Sequence, residues 1–208
     1  MIPLLDTHQH LMYPDALPYS WSAKLPALAG QAFTLDDYKR LTEGLGIVGT
    51  LFMEVAVDDD QWRDEAPFLA QKAADPQSGI LGRVASIRPE VDEGYDEELA
   101  RADCLGIVGF RRILHVVDDA VSQSETYRAN VRKIGAAGKV VDVVFQARQL
   151  PLAAQLISAC PDTVFVLDLC GVPDVAGGGL DPWRDDLAAV AALPNVNCKM
   201  SGSLAYCE

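Results

Sequence analysis

The feature that most constrains this chain is a regular alternation between strand-length apolar runs and helix-length stretches. Seven runs recur along it: "IPLLDTH", "VGTLFMEVAV", "ILGRVASI", "GIVGFRRIL", "VVDVVFQA", "TVFVLDLC" and "NVNCKMSG". The intervening stretches predict helices over 34–45, 61–74, 92–101, 122–137, 149–159 and 183–192. This is the pattern of a parallel sheet with crossover helices. The near-continuous apolar character of the runs suits strands covered on both faces. Thr34 with Asp37 three residues on approximates a capping box, and Pro151 sits where a first helical turn tolerates proline. The segment "AGGGLDP" at 176–182 reads as a loop.

An open doubly wound sheet would carry a glycine-rich phosphate turn after its first strand. Here that strand runs into His-Gln-His instead. The expectation is an α/β fold of the (β/α)8 TIM-barrel type, one domain over 1–208. A complete barrel takes about 250 residues, whereas this sequence has 208 and stops just after its seventh run. A C-terminally truncated barrel lacking its last βα unit is therefore expected. Exposed edges on the first and seventh strands would then favour a homo-oligomer.

In such barrels the active site lies at the C-terminal ends of the strands. Those ends collect His8, His10, Glu54, Arg88, Arg111, Arg112, His115, Gln146, Arg148, Asp168, Lys199 and Ser201. Side chains alternate along a strand, so Asp6, His8 and His10 are expected on one face, with both imidazoles able to share a divalent cation such as zinc. A core strand gains nothing from a buried acid or base unless it is paired or serves a ligand. Glu54 is thus either a partner for an arginine or a direct participant. Arg111 and Arg112 fall on opposite faces, so at most one points inward. His115 is either a loop histidine or a site residue. Asp168, an isolated carboxylate in "VFVLDLC", either secures a loop or does chemistry.

The formal net charge of -13, from 30 acidic and 17 basic residues, repels phosphate backbones and anionic membranes, which excludes nucleic acid as an expected partner. No apolar run approaches the ~18 residues needed to span a bilayer. The N-terminus lacks a secretory pattern. The five cysteines are scattered without CxxC spacing, so they are read as reduced thiols in a cytoplasmic protein.

The ordered set "LLDTHQHL", "FMEV", "GRVASIRPE", "GFRRILH", "VVFQARQLP", "VLDLCGVPD" and "CKMSG" resembles the amidohydrolase superfamily, in particular its sugar-lactonase and dicarboxylate-lactonase branch of (β/α)8 hydrolases. The resemblance implies water attack on the ring ester of a lactone, with a small lactone or carboxylate as the partner. It implies that His8 and His10 bind a divalent metal, zinc foremost. It implies that Arg111 holds a substrate carboxylate or hydroxyl and that Glu54 is the second-strand acid; from the strand-end set, Asp168 is expected to join Glu54 in catalysis and His115, Gln146 and Arg148 to join Arg111 in binding substrate.

Two departures stand against the family pattern. Leu169 occupies the place of a histidine that usually follows the sixth-strand aspartate. The chain also ends at "SGSLAYCE", before the eighth-strand aspartate that serves as metal ligand and base. Metal binding is therefore expected to be weak or absent, and activity impaired. A decarboxylase of the same superfamily and a noncatalytic barrel that binds small molecules or partners are the alternative readings.

Overall fold

The computed structural model describes residues 2–202; Cys207 and most of "SGSLAYCE" lie outside the described residues. All seven expected strands are present, parallel neighbours in chain order from β1 to β7. With helices on the connections, this is the topology of a TIM-type (β/α) barrel, in which each strand feeds a crossover helix before its parallel neighbour. The chain divides into two compact units, Met1–Ser86 with Ala102–Val108, and Ile87–Arg101 with Gly109–Glu208.

The first unit holds β1 (Leu4–Gln9), α1 (Leu35–Leu41), β2 (Ile47–Met53), α2 (Trp62–Ala73) and β3 (Ile80–Ser86). Thr34 caps α1 as expected: its side chain accepts from the Asp37 amide, and Asp37 accepts from the Thr34 amide, which satisfies two orphan donors at once. Helix α1 ends at Leu41 rather than 45, before the "TEGLG" segment whose Gly44 and Gly46 take positive φ. Strand β2 ends at Met53, earlier than the run "VGTLFMEVAV" predicts, so Glu54 opens a loop. The core gathers Leu11, Leu17, Tyr38, Phe52, Val57 and Leu69. A Cβ on Gly49 would meet the exposed Leu81 side chain, with Cδ1 at 2.5 Å, so any larger residue there would have to displace that side chain.

Strand β4 (Ile107–Ile113) begins in the first unit and continues into the second. The second unit also carries α3 (Tyr95–Ala100), α4 (Glu125–Ala136), β5 (Val140–Val144), α5 (Leu150–Ala159), β6 (Phe165–Leu167), α6 (Leu180–Ala191) and β7 (Val196–Cys198). Ser124 caps α4 by accepting from the Tyr127 amide, and Pro151 occupies the first turn of α5. Tyr127, Val131 and Ile134 of α4 are fully buried, as are Leu150, Ala153, Leu156 and Ile157 of α5, the i, i+3, i+4, i+7 spacing of an amphipathic helix. Helix α6 starts at Leu180, so "LDP" of the expected loop is its first turn, where Pro182 is tolerated. Among the described residues no helix is long and apolar enough to cross a membrane.

Candidate active site

In the first unit, β1 delivers His8 and His10 to its C-terminal end. Their Nε2 atoms lie 3.2 Å apart. The Nδ1 of His10 is 3.0 Å from the Met53 carbonyl oxygen. That oxygen can only accept, so Nδ1 carries the proton and a neutral ring offers its Nε2 lone pair toward His8. In tetrahedral zinc with Zn–N near 2.0–2.1 Å, neighbouring ligand nitrogens stand about 3.3 Å apart. The pair therefore fits two corners of such a site, and the His10 to Met53 bond is the outer hydrogen bond that orients a histidine ligand. Among the described residues, however, no group of three or more His, Cys, Asp or Glu side chains could hold a metal ion. The third protein ligand of a usual catalytic zinc site is not supplied by them.

Asp6 departs from the expected alignment. The β1 and β2 ladder shifts register between Asp6 and Gln9, which breaks the strict alternation of side chains. Asp6 instead accepts from the Tyr38 hydroxyl of α1 at 2.7 Å and from the His8 amide at 2.9 Å. Glu54 is 1% exposed. Its Oε2 accepts from the Ala56 amide at 2.7 Å, while Glu65 of α2 accepts from the Val55 amide at 2.9 Å. Two buried carboxylates thus hold the loop after β2, in which Ala56 sits at φ +52°.

The second unit contains a buried charge cluster. In the β4 and β5 pairing Arg111 stands opposite Asp142. In the β6 and β7 pairing Leu167 stands opposite Cys198, which brings the following residues, Asp168 and Lys199, to the same rim. Arg111 Nη1 is 3.5 Å from Asp168 Oδ2, and Lys199 Nζ is 3.6 Å from Asp168 Oδ1. Lys199 also pairs with Asp142. Burial and the neighbouring Asp142 charge push the Asp168 carboxyl up to about 7, against the opposing pull of Arg111 and Lys199. Asp142 is raised as well, by burial, and opposed chiefly by Lys199. A carboxyl that exchanges its proton near neutral pH is what acid–base chemistry requires. Burial and the Arg111 charge hold His115 below the usual histidine range, as a neutral imidazole.

The structure therefore places Asp168 against Arg111, whose charge also reaches His115. Arg112, on the opposite face of β4, pairs with Glu90. Gln146 opens the turn Ala147–Gln149, its amide donating to Gln149 Oε1 at 2.9 Å. Arg148 is 60% exposed and paired with Asp119 at 2.7 Å. Asp142, an acid inside "VVDVVFQA", carries in the sequence the same signal as Asp168, an isolated carboxylate in an apolar run, and Lys199 stands at the end of its own strand run.

Known proteins resemble this chain over most of its length. Residues 5–206 match the model of the amidohydrolase family, Amidohydro_2. The chain is 29% identical to an L-fucono-1,5-lactonase of Burkholderia multivorans over 208 residues, covering 95% of this chain and 67% of that protein. A zinc-bound crystal structure of an amidohydrolase from the same organism superposes with a TM-score of 0.86 at 27% identity, covering 100% of this chain and 72% of that one. A probable 2-pyrone-4,6-dicarboxylic acid hydrolase of Acinetobacter baumannii, crystallised with citric acid, shares the fold at 15% identity with a TM-score of 0.74, covering 97% and 71%.

Proposed function

The chain belongs to the amidohydrolase family, and from that premise we propose that it is a hydrolase opening the ring ester of lactones, sugar-acid lactones foremost. The single observation that carries this reading is the buried Asp168, whose carboxyl is pushed up to about 7 beside Arg111 and Lys199. The likeness to an L-fucono-1,5-lactonase supports the substrate class.

In this reading Asp168, deprotonated, takes a proton from the attacking water. Water oxygen bonds to the carbonyl carbon, the ring C–O bond breaks, and the Asp168 proton passes to the departing alkoxide. Lys199 holds Asp142 and Asp168 in place. Arg111 takes a substrate carboxylate or hydroxyl, a task suited to its planar five-donor fork. Neutral His115 hydrogen-bonds the substrate, and Gln146 and Arg148 contact its periphery. Glu54 acts through the loop after β2, which it holds at the Ala56 amide. His8 and His10 would occupy two positions on a divalent cation, which would supply Lewis-acid chemistry when bound. A homo-oligomer belongs to the same proposal.

A panel of 1,4- and 1,5-sugar-acid lactones and dicarboxylate lactones, followed by pH-indicator detection of acid release, tests the reading. Turnover that falls by ~10²- to 10⁴-fold in Asp168→Asn is the expected result. Carbon dioxide release from aromatic carboxylates, with no lactone opened, would replace it with a decarboxylase.

A further inference from the structure

Directly after Asp168 the chain makes a left-handed turn of a kind side chains resist. Leu169, Cys170, Gly171 and Val172 have φ of 57°, 52°, 70° and 46°. Only glycine adopts this conformation freely, so three of the four positions are strained. The turn is fastened to β7. The Cys170 amide donates to the Lys199 carbonyl oxygen at 3.2 Å, and Trp183 Nε1 of α6 donates to the Cys170 carbonyl at 2.8 Å. Two sulfurs converge on that same Lys199 oxygen, Cys170 Sγ at 3.5 Å and Cys198 Sγ at 3.8 Å. The thiols are neighbours in space although 28 positions apart in sequence, and each adjoins a member of the charge cluster, Cys170 beyond Asp168 and Cys198 before Lys199.

We propose that Cys170 and Cys198 are a thiol-oxidation site, which a low-molecular-weight disulfide converts to an intramolecular disulfide pinning the left-handed turn to β7. The exchange balances. One protein thiolate attacks the disulfide RSSR and releases RS⁻, giving a mixed disulfide. The second protein sulfur then displaces the remaining RS⁻, and the two protein protons leave with the two RSH formed. Two cysteine sulfurs are oxidised and one RSSR is reduced. The proximity of the two sulfurs at the Lys199 carbonyl oxygen favours closure over a persistent mixed disulfide. Burial and the neighbouring Cys170 sulfur push the Cys198 thiol up to about 11. Closure is therefore faster at alkaline pH, where more of the thiolate is present.

The consequence for turnover rests on the lactonase reading; bond formation does not. A bridge at Cys170 and Cys198 would fix Asp168 and Lys199 and slow any step that needs them to move.

The test treats the full chain with oxidised glutathione at neutral and alkaline pH and maps its peptides by mass spectrometry. The expected result is a Cys170–Cys198 cross-linked peptide, with a loss of two hydrogens and no added glutathione. Amide hydrogen exchange over 168–172 should slow, and dithiothreitol should reverse both changes. Cys198→Ser should instead retain glutathione on Cys170 and show no change in exchange. Separate glutathione adducts on both cysteines in the unaltered chain, or bonding of either to Cys104, Cys160 or Cys207, would overturn the site. Where the chain turns over a lactone, oxidation should lower the rate and Cys198→Ser should abolish that sensitivity. An unchanged rate in the cross-linked protein would refute the control of turnover while leaving the bond established.

Discussion

Arg111 Nη1 lies 3.5 Å from Asp168 Oδ2, with the two side chains 6% and 0% exposed. This contact opposes the burial and Asp142 charge that raise Asp168, and so sets where the carboxyl titrates. A buried carboxylate without such partners would stay protonated well past neutrality.

The first prediction follows from the neighbours of Asp168. Its acid limb in a pH–rate profile should lie near 7. Lys199 lowers that carboxyl and Asp142 raises it, so Lys199→Met should move the limb to higher pH and Asp142→Asn to lower pH. A purely structural role for Lys199 would reduce the rate at every pH without moving the limb.

The same shift carries a stability signature. The folded Asp168 carboxyl, raised from 3.8 to about 7, binds its proton more tightly than the unfolded one. Its contribution is full below about pH 4 and is lost as pH rises through 7. Urea midpoints measured at pH 5 and pH 8 should therefore fall further for the unaltered chain than for Asp168→Asn.

The histidine pair predicts a cation site that depends on both rings. Zinc titration by calorimetry should give at most weak binding, which His8→Ala removes and His10→Ala also removes, since Nε2 of each is within 3.2 Å of the other. Zinc held unchanged in either variant would place the metal elsewhere.

The loop after β2 predicts opposite effects at two adjacent sites. Ala56 at φ +52° carries a left-handed cost of about 1–2 kcal/mol, most of which glycine avoids, so Ala56→Gly should raise the thermal midpoint. Glu54→Ala should lower it, by about 1–3 kcal/mol of stability, because the half-buried Ala56 amide loses its acceptor.

Packing in the second unit predicts an intolerant glycine. A Cβ on Gly135 would lie 2.4 Å from Thr163 Oγ1 and 3.0 Å from the Thr163 Cα. Backbone cannot yield as a flexible side chain can, so Gly135→Ala should cost about 1–3 kcal/mol in denaturant unfolding despite its better helix propensity.

The order of elements was legible in the sequence because strand and helix patterning are local. The runs at 80–87 and 106–114 became β3 and β4 within a residue at each end, and Thr34 and Pro151 marked their helices through short-range chemistry. Boundaries failed where tertiary contacts decided them. "TVFVLDLC" yields a three-residue strand because its end bends into the left-handed turn at 169–172, and "LDP" joins α6 although its glycine neighbours read as loop.

The sequence by itself determined the parallel βα topology, the family and the positions of His8, His10, Arg111 and Asp168, because periodicity and motif spacing are written along the chain. Only the tertiary structure decided which groups answer one another. Asp142 and Lys199 are 57 positions apart yet form an ion pair, Asp6 is taken by Tyr38 of α1, and Cys170 and Cys198 meet at one carbonyl oxygen. Strand register and burial set those partnerships. A linear pattern encodes which way a side chain points along its own strand, but not what stands opposite it.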